Sequence, residues 1–383
     1  MSLAHSTVPQ PHARVEALDG VRGLAVLLVV MMHAMFFGVP LPGGPQLLDA
    51  TIYARLVGLG WCGVDVFFVL SGFLITGILV RSKEAPHYLR NFYARRALRI
   101  FPLYYAVLVL LLFVLPRPSA TGGEIAAYFL YVQNFVQAFG GDTHPDLARD
   151  VTWSLAIEEQ FYLVWPTVVL FAKRRTLVRI AAAMVGFAIA ARFVGLELGL
   201  SKPFFLTFCR FDALGAGALL ALVPPPRRAI GWALLLGGVV SMVSVAYATD
   251  NSLPSHPAMQ RWGMIGALAL ASGLLMVVRV DPKAAKAFTW RPLRSLGHYS
   301  YCIYLVHFLV VEKLAERCYG DLNKPATALQ EWLVANVTSS VLLCGFGLAC
   351  LSVSWGVGWC SWHLFERHAL ACKRFFPSGD GRS

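Results

Sequence analysis

Long, nearly continuous apolar runs broken by short polar segments are the main pattern of the chain. A membrane-crossing helix needs roughly 20 mostly apolar residues. Ten runs approach that length: residues 18–38, 57–80, 99–115, 153–172, 177–196, 206–223, 229–247, 259–278, 295–314 and 331–360. They predict an all-α, polytopic membrane bundle of about ten transmembrane helices. The polar segments between them give the bundle a direction. With the N-terminus inside, inner segments hold 22 Lys and Arg and outer segments hold six: Arg55, Arg117, Arg149, Lys202, Arg317 and Lys324. By the positive-inside rule this asymmetry predicts an N-in, C-in orientation. It also bears on EIAAYFLYVQNFVQAF (124–139), because a single crossing there would carry Lys173, Arg174 and Arg175 to the outer side. That segment is therefore expected as a re-entrant or interfacial helix on the outer side. The domain expectation is a cytoplasmic segment over 1–17, a transmembrane domain over 18–365 and a basic cytoplasmic tail over 366–383.

Composition sharpens this picture. The chain is 57% hydrophobic, 13% aromatic and only 14% charged, with a mean hydropathy of +0.61. These values lie outside the range of soluble globular proteins. The lipid bilayer is thus an expected partner, and the expected location is the inner (plasma) membrane, as a multi-pass protein. A net charge of +12 does not call for nucleic acid here, since basic residues retained in inner loops account for it first and a phosphate-bearing ligand second. The eight cysteines show no CxxC or metal-ligand spacing, and Cys62, Cys209, Cys302, Cys344 and Cys350 lie in apolar runs. They read as packing residues, with no disulfide framework and no metal site expected. No signal peptidase site follows the first run, so that run is expected to remain as a span.

Polar side chains inside the apolar runs are the candidates for chemistry. Arg22 and His33 are eleven residues apart, a rotation of about 1,100°, or roughly 20° beyond three turns, and a rise of about 16 Å. They share one helix face, with the arginine near the inner end and the histidine in the outer third. Snorkelling explains Arg22 alone and a hydrogen bond to a neighbouring helix explains His33 alone, but ionisable residues within a bundle are costly enough to mark function. The second run holds Asp65 in its outer half and Ser71 about two turns deeper, among Gly63, Gly72 and Gly77, which permit close helix approach. The fourth run opens with Glu158 and Glu159; neighbours on a helix point about 100° apart, so one faces a site, and Glu159 is expected at the lipid edge or in a capping role. Arg210 and Asp212 in the sixth run either neutralise each other or bind a ligand. A structural hydrogen bond accounts for His307 in the ninth run as well as chemistry does. Arg95, Arg96 and Arg99, spaced i, i+1 and i+4, form a basic corner at the inner end of the third run. Its place below the Arg22/His33 stripe suits a phosphorylated cytoplasmic molecule, because guanidinium forks match phosphate oxygens.

The ordered set LDGVRGLAVLLVVMMHAMFFG, GVDVFFVLSGFLIT, FYARRALRIFP, WSLAIEEQFYLVWP, RFDALGAGALLA, SYCIYLVHF and SWHLFERHAL resembles the acyltransferase 3 family of bacterial integral membrane acyltransferases over nearly the whole chain. The resemblance implies a helical bundle that moves an acyl group, usually acetyl from acetyl-CoA, onto a hydroxyl of a carbohydrate or similar acceptor. The family's first-span arginine and histidine fall on Arg22 and His33, its paired arginines on Arg96 and Arg99, and its fourth-span glutamate on Glu158. Some members carry a second, extracytoplasmic esterase-like domain, for which no room is expected after Glu366.

The chemistry fits these assignments. A thioester has a good leaving group, so the harder task is to make a hydroxyl nucleophilic, which calls for a positioned base. His33 is the expected base, with Glu158 as the carboxylate that fixes its tautomer, and Arg22 and Asp65 complete the catalytic candidates. Arg95, Arg96, Arg99 and Arg22 are the candidates for binding acyl-CoA, which serves as donor substrate rather than as a permanently bound cofactor. Ser71, Arg210 and Asp212 are the candidates for binding a carbohydrate or glycolipid acceptor from the outer half. Acyl-histidine formation and direct attack on the thioester both remain open. The competing reading is a proton-coupled secondary transporter, which also uses carboxylates and histidines at depth. Such a carrier is expected to show two related halves, and the chain has none.

Overall fold

The computed structural model describes residues 11–37, 52–115, 120–140, 150–225, 227–319 and 339–377, and within them the chain is all-helical, with no strand. In order, α1 spans Pro11–Phe37, α2 Ile52–Gly58, α3 Cys62–Arg81, α4 Tyr88–Val109, α5 Gly122–Phe129, α6 Gln133–Phe139, α7 Trp153–Phe171, α8 Arg174–Glu197 and α9 Phe211–Leu222. Then come α10 Arg228–Thr249, α11 Met264–Val280, α12 Pro282–Ala287, α13 Arg291–His298, α14 Ser300–Tyr319, α15 Ser339–Ser361 and α16 Arg367–Ala371.

Seven helical stretches among the described residues are long and apolar enough to cross a membrane: 16–35, 55–82, 88–114, 174–197, 228–249, 259–280 and 343–375. Helices also form at the three other expected crossings, α7, α9 and α14, but each departs from a plain apolar span. Glu158, Glu159 and Gln160 interrupt α7, and His307, Glu312 and Lys313 interrupt α14. α9 has only 12 residues, about 18 Å of rise, and is preceded by two 3-10 turns at Pro203–Phe205 and Thr207–Arg210. The expected run 295–314 is broken at Tyr299, between α13 and α14. Residues 38 and 331–338 of the expected runs, and the outer charges Arg117, Arg149 and Lys324, lie outside the described residues.

Residues 124–139 form α5 and α6, of eight and seven residues, on either side of Tyr131 in a left-handed conformation (φ 55°). Neither helix is long enough to cross a bilayer. A capping box starts α5: Thr121 accepts from the Glu124 amide while the Glu124 carboxylate accepts from the Thr121 amide at 2.7 Å. Polar side chains then tie the pair to the bundle. Gln133 donates to the Tyr104 hydroxyl (3.2 Å) and to the Thr152 carbonyl (3.0 Å), and Gln160 donates to the Tyr131 carbonyl (2.6 Å).

Helix ends are sorted by charge. Lys83 donates to the Ala172 carbonyl (2.9 Å), Arg174 to the Leu222 carbonyl (2.6 Å) and Arg279 to the Leu220 carbonyl (2.7 Å). Each supplies a cation to the carbonyl end of a neighbouring helix, where orphan acceptors and the helix dipole favour it. These contacts gather the C-terminal ends of α3, α7, α9 and α11 and the start of α8 at one end of the bundle. At the opposite end, the Trp61 indole donates to the Ser252 carbonyl (2.9 Å) and Arg55 pairs with Asp250.

Two glycine contacts set the site. A Cβ on Gly23 would lie 1.9 Å from the Leu293 carbonyl oxygen, and one on Gly297 would lie 1.7 Å from that of Asp19, so α1 and α13 meet backbone to backbone. Gly72 and Gly217 do the same for α3 and α9, where added carbons would fall 2.1 Å from the Leu214 and Val69 carbonyl oxygens. Gly63 also meets a backbone, at Ala25, whereas Gly77 faces only the end of the Arg81 side chain.

Candidate active site

The basic end opens into a cavity of about 360 Å³. α1 contributes Asp19 and Arg22, α4 contributes Asn91, Arg95, Arg96 and Arg99, α13 contributes His298, and the segment after α15 contributes Trp362, Lys373 and Pro377. The i, i+4 spacing of Arg95 and Arg99 puts both on one face of α4, and the expected arginine corner does converge with Arg22. Asp19 holds Arg22 at 2.8 Å, and the Arg96 guanidinium lies over the Tyr162 ring at 5.2 Å. Arg95 donates to the Phe376 carbonyl (3.0 Å) and Asn91 to the Pro377 carbonyl (3.1 Å), so the last described residues form a wall of this cavity.

A second cavity, of about 110 Å³, shares Arg22, Arg96 and Arg99 with the first. Ser71 of α3 and Ser154, Glu158 and Tyr162 of α7 line it, with Tyr301 and Tyr304 of α14. The three α7 residues follow i, i+4, i+8 and so form one stripe. Ser71 donates to the Glu158 carboxylate, and the Tyr162 hydroxyl donates to Ser71 at 2.9 Å. The Tyr304 hydroxyl donates to the Val151 carbonyl (3.0 Å), which leaves it to accept from Ser154 at 2.7 Å. Just under one turn beyond Tyr162, the Trp165 indole donates to Thr76 (2.8 Å) and fastens α7 to α3.

His33 lines neither cavity. Its Nδ1 lies 3.0 Å from His307 Nε2, and Phe308 packs edge-on against its ring at 5.3 Å between centroids. The expected pairing of His33 with Glu158 is thus corrected: Glu158 is bonded to Ser71, because α7 packs against α3 while α14 packs against α1. Tyr304 connects the two features. It lines the inner chamber, and its carbonyl accepts from His307 Nδ1 at 2.7 Å, which puts His307, the partner of His33, about one helical turn along α14 from a chamber-lining residue. Glu159 is half-buried and lines neither cavity.

Asp65, expected as catalytic, and Arg210 and Asp212, expected to bind the acceptor, also line neither cavity and stand instead in buried ion pairs. Arg210 has Asp65 rather than Asp212 as its direct ion-pair partner. It donates to Asp65 at 2.6 Å, while Asp212 is bonded to Arg192 at 2.5 Å, and all four side chains are at most 1% exposed. Arg192 also donates to the carbonyls of Cys209 (2.8 Å) and Gln260 (3.1 Å), and Arg210 lies over the Phe68 ring at 5.2 Å. A buried ion must be paired and hydrogen-bonded to be tolerated, and this crossed arrangement does so by joining α3, α8, α9 and the turns around them. Arg192, the missing partner, lies 13 residues beyond Arg179, which sits at the inner end of run 177–196; an arginine so far from that end is the signal by which it could have been found. Ser154, Tyr162 and Tyr304 carry no comparable signal, since hydroxyl residues are common in apolar helices.

A family model described as an acyltransferase domain matches residues 15–359. The peptidoglycan O-acetyltransferase OatA of Listeria monocytogenes is 30% identical over 328 residues, covering 78% of this chain and 49% of that protein. The putative peptidoglycan O-acetyltransferase YrhL of Bacillus subtilis is 29% identical over 335 residues, covering 79% of this chain and 49% of that protein. The O-acetyltransferase OatA of Staphylococcus aureus is 26% identical over 332 residues, covering 77% of this chain and 50% of that protein. The chain spans about half the length of these relatives. No solved structure matches it.

Proposed function

The chain belongs to the acyltransferase domain family, and from that premise we propose that it is a membrane O-acetyltransferase. It moves an acetyl group from acetyl-CoA to a hydroxyl of a carbohydrate or glycoconjugate, with peptidoglycan favoured as acceptor by the names of its relatives. The observation that carries this reading is the sharing of Arg22, Arg96 and Arg99 between the basic mouth and the inner chamber. A donor with phosphates at one end and a thioester at the other suits a cavity that is cationic at its mouth and lined by hydroxyls and one carboxylate further in. Arginine forks hold the phosphates, and the acyl-bearing arm passes towards Ser71 and Glu158. A proton-coupled carrier would give the same arginine cradle no ligand.

His33 acts as general base for the acceptor hydroxyl, reached through His307 from the chamber-lining Tyr304, and Glu158 stabilises charge within the chamber. The acceptor approaches on the His33 side, since the Asp65–Arg210 cluster is sealed. The bundle crosses the membrane ten times with both ends inside. Support comes from the grouping of α1's first half, the end of α3, the start of α4, α13 and Lys373 around one cavity, together with the charge asymmetry of the loops. The membrane is the inner (plasma) membrane, where a cytoplasmic donor and an exported acceptor meet.

Purified, correctly inserted His33→Ala protein tests the reading. It should lose roughly 10²–10⁴-fold in acetyl transfer, the usual effect of a missing general base, while binding acetyl-CoA normally. Near wild-type transfer by this variant would remove His33 from the mechanism. Mass spectrometry of surface glycans from a deletion strain would identify the acceptor, and unchanged acetylation of peptidoglycan would exclude that glycan.

A further inference from the structure

His307 of α14 is fully buried, and its two ring nitrogens have different partners. Nδ1 lies 2.7 Å from the Tyr304 carbonyl oxygen, and Nε2 lies 3.0 Å from His33 Nδ1. A carbonyl oxygen only accepts, so His307 Nδ1 carries the hydrogen. Among the described residues no carboxylate bonds to either ring, and a doubly protonated ring here would be a buried cation without a counter-ion. His307 is therefore neutral, and in a neutral imidazole with hydrogen on Nδ1 the other nitrogen is an acceptor. It follows that His33 donates from Nδ1 to His307 Nε2, with the Val29 backbone one turn earlier in α1 as a second partner of the ring, and keeps its own lone pair on Nε2. The hydrogens follow here from what each partner is able to donate or accept.

We propose that His307 is a positioning residue that holds His33 in the Nδ1–H tautomer, with Nε2 free to take a proton. This rests on the reading of His33 as general base. The acceptor hydroxyl gives its proton to His33 Nε2 as its oxygen bonds to the thioester carbonyl carbon. The carbon–sulfur bond then breaks, the thiolate recovers the proton from Nε2, and the products are the ester and the CoA thiol, with His33 neutral again. Between these steps His33 is an imidazolium whose Nδ1–H remains bonded to His307, the place a carboxylate takes in a Ser-His-Asp triad. A neutral imidazole orients its partner as a carboxylate does and stabilises the transient charge less. Phe308, edge-on to His33, restricts rotation of the ring. Because Tyr304 also lines the chamber, the same turn of α14 sets both the chamber wall and the tautomer of the base.

Nitrogen-15 NMR of histidine-labelled protein in nanodiscs, with the His33 signals identified by their absence from His33→Ala, tests the proposal directly. Wild-type protein should show a pyrrole-type Nδ1 and a pyridine-type Nε2 for His33. His307→Phe removes the acceptor and should lower turnover by roughly 10–100-fold, the scale for losing a group that orients a histidine, with the KM for acetyl-CoA unchanged and the tautomer mixed. His307→Gln, whose amide oxygen can accept from Nδ1–H, should recover most of the rate and the wild-type tautomer. If His307→Phe does not insert, the wild-type and His307→Gln spectra still decide. A His33 that carries its hydrogen on Nε2 in wild-type protein overturns the proposal, as does an equal loss of rate in the Phe and Gln variants with the tautomer unchanged. An active His33→Ala protein would instead remove the general-base reading on which the proposal stands.

Discussion

Arg210 lies 2.6 Å from Asp65 across the α3–α9 contact, and both side chains are 1% exposed. Breaking such a pair leaves an uncompensated buried charge, which costs about 3–5 kcal/mol. Asp65→Asn should therefore lower thermal stability and yield of inserted protein, while the fraction that folds transfers acetyl at a near-normal rate. Arg210→Met added to it should restore part of the stability. Stable Asp65→Asn protein with no activity would return Asp65 to the catalytic group.

The arginines at the mouth should behave as ligands rather than anchors. Arg96→Ala or Arg99→Ala is expected to weaken acetyl-CoA binding by roughly 1.5–3 kcal/mol, the value of a lost charge-assisted bond. Lysine at either position should recover part of this, since a point charge lacks the fork. Calorimetry on the inserted double mutant settles the matter: unchanged donor affinity leaves only membrane anchoring.

Ser71 stands between Glu158 and the Tyr162 hydroxyl. Glu158→Gln keeps an acceptor for Ser71 and removes the charge, so turnover should fall while the KM for acetyl-CoA changes little. Tyr162→Phe deletes the outer donor of the chain and should have a smaller effect on turnover. A Glu158→Gln enzyme with full turnover would make the Ser71 contact a packing detail.

The glycines of α3 should separate sharply. Gly72→Ala forces a Cβ into the Leu214 carbonyl and should prevent α3 and α9 from closing, seen as loss of inserted protein. Gly77→Ala meets only a flexible arginine tip and should be neutral or stabilising by up to about 1 kcal/mol, the helix preference for alanine.

Orientation has its own test. In a chain with its eight cysteines replaced, a cysteine at Glu84 should be labelled only from the cytoplasmic side and one at Gly123 only from the outside. The reverse pattern inverts the bundle, and a cysteine at Gly140 labelled from the cytoplasmic side would make 124–139 a crossing.

Much of this arrangement could be read from residue order, and the reason is local geometry. Arg95 and Arg99 share a face by helical spacing alone, and the arginine corner formed where expected. The charge balance of the loops likewise argued against a crossing at 124–139, where two helices of eight and seven residues form. Partner choice across helices could not be read in the same way. Nothing in the spacing of Asp212 says that its cation is Arg192, 20 residues earlier, or that His33 faces His307 and not Glu158. These pairings are set by which helices pack together, and close approach at Gly23 with Gly297 and at Gly72 with Gly217 decides that. The count of crossings was obscured for a related reason. α7 and α14 carry the glutamates and the histidine of the site, so the residues that give them chemistry are those that lower their hydropathy.

The wall that Lys373, Phe376 and Pro377 lend to the mouth has a bearing on biogenesis. Arg22 emerges from the ribosome well before Lys373, yet both border one cavity. A bundle inserted helix by helix therefore has its chamber and the arginines of its mouth in place before the last wall of the mouth is made, and firm donor binding is expected only after that wall is added. Acetyl-CoA added during cell-free synthesis into nanodiscs should leave the insertion of chains stalled before residue 372 unaffected, and should protect only released chains from protease.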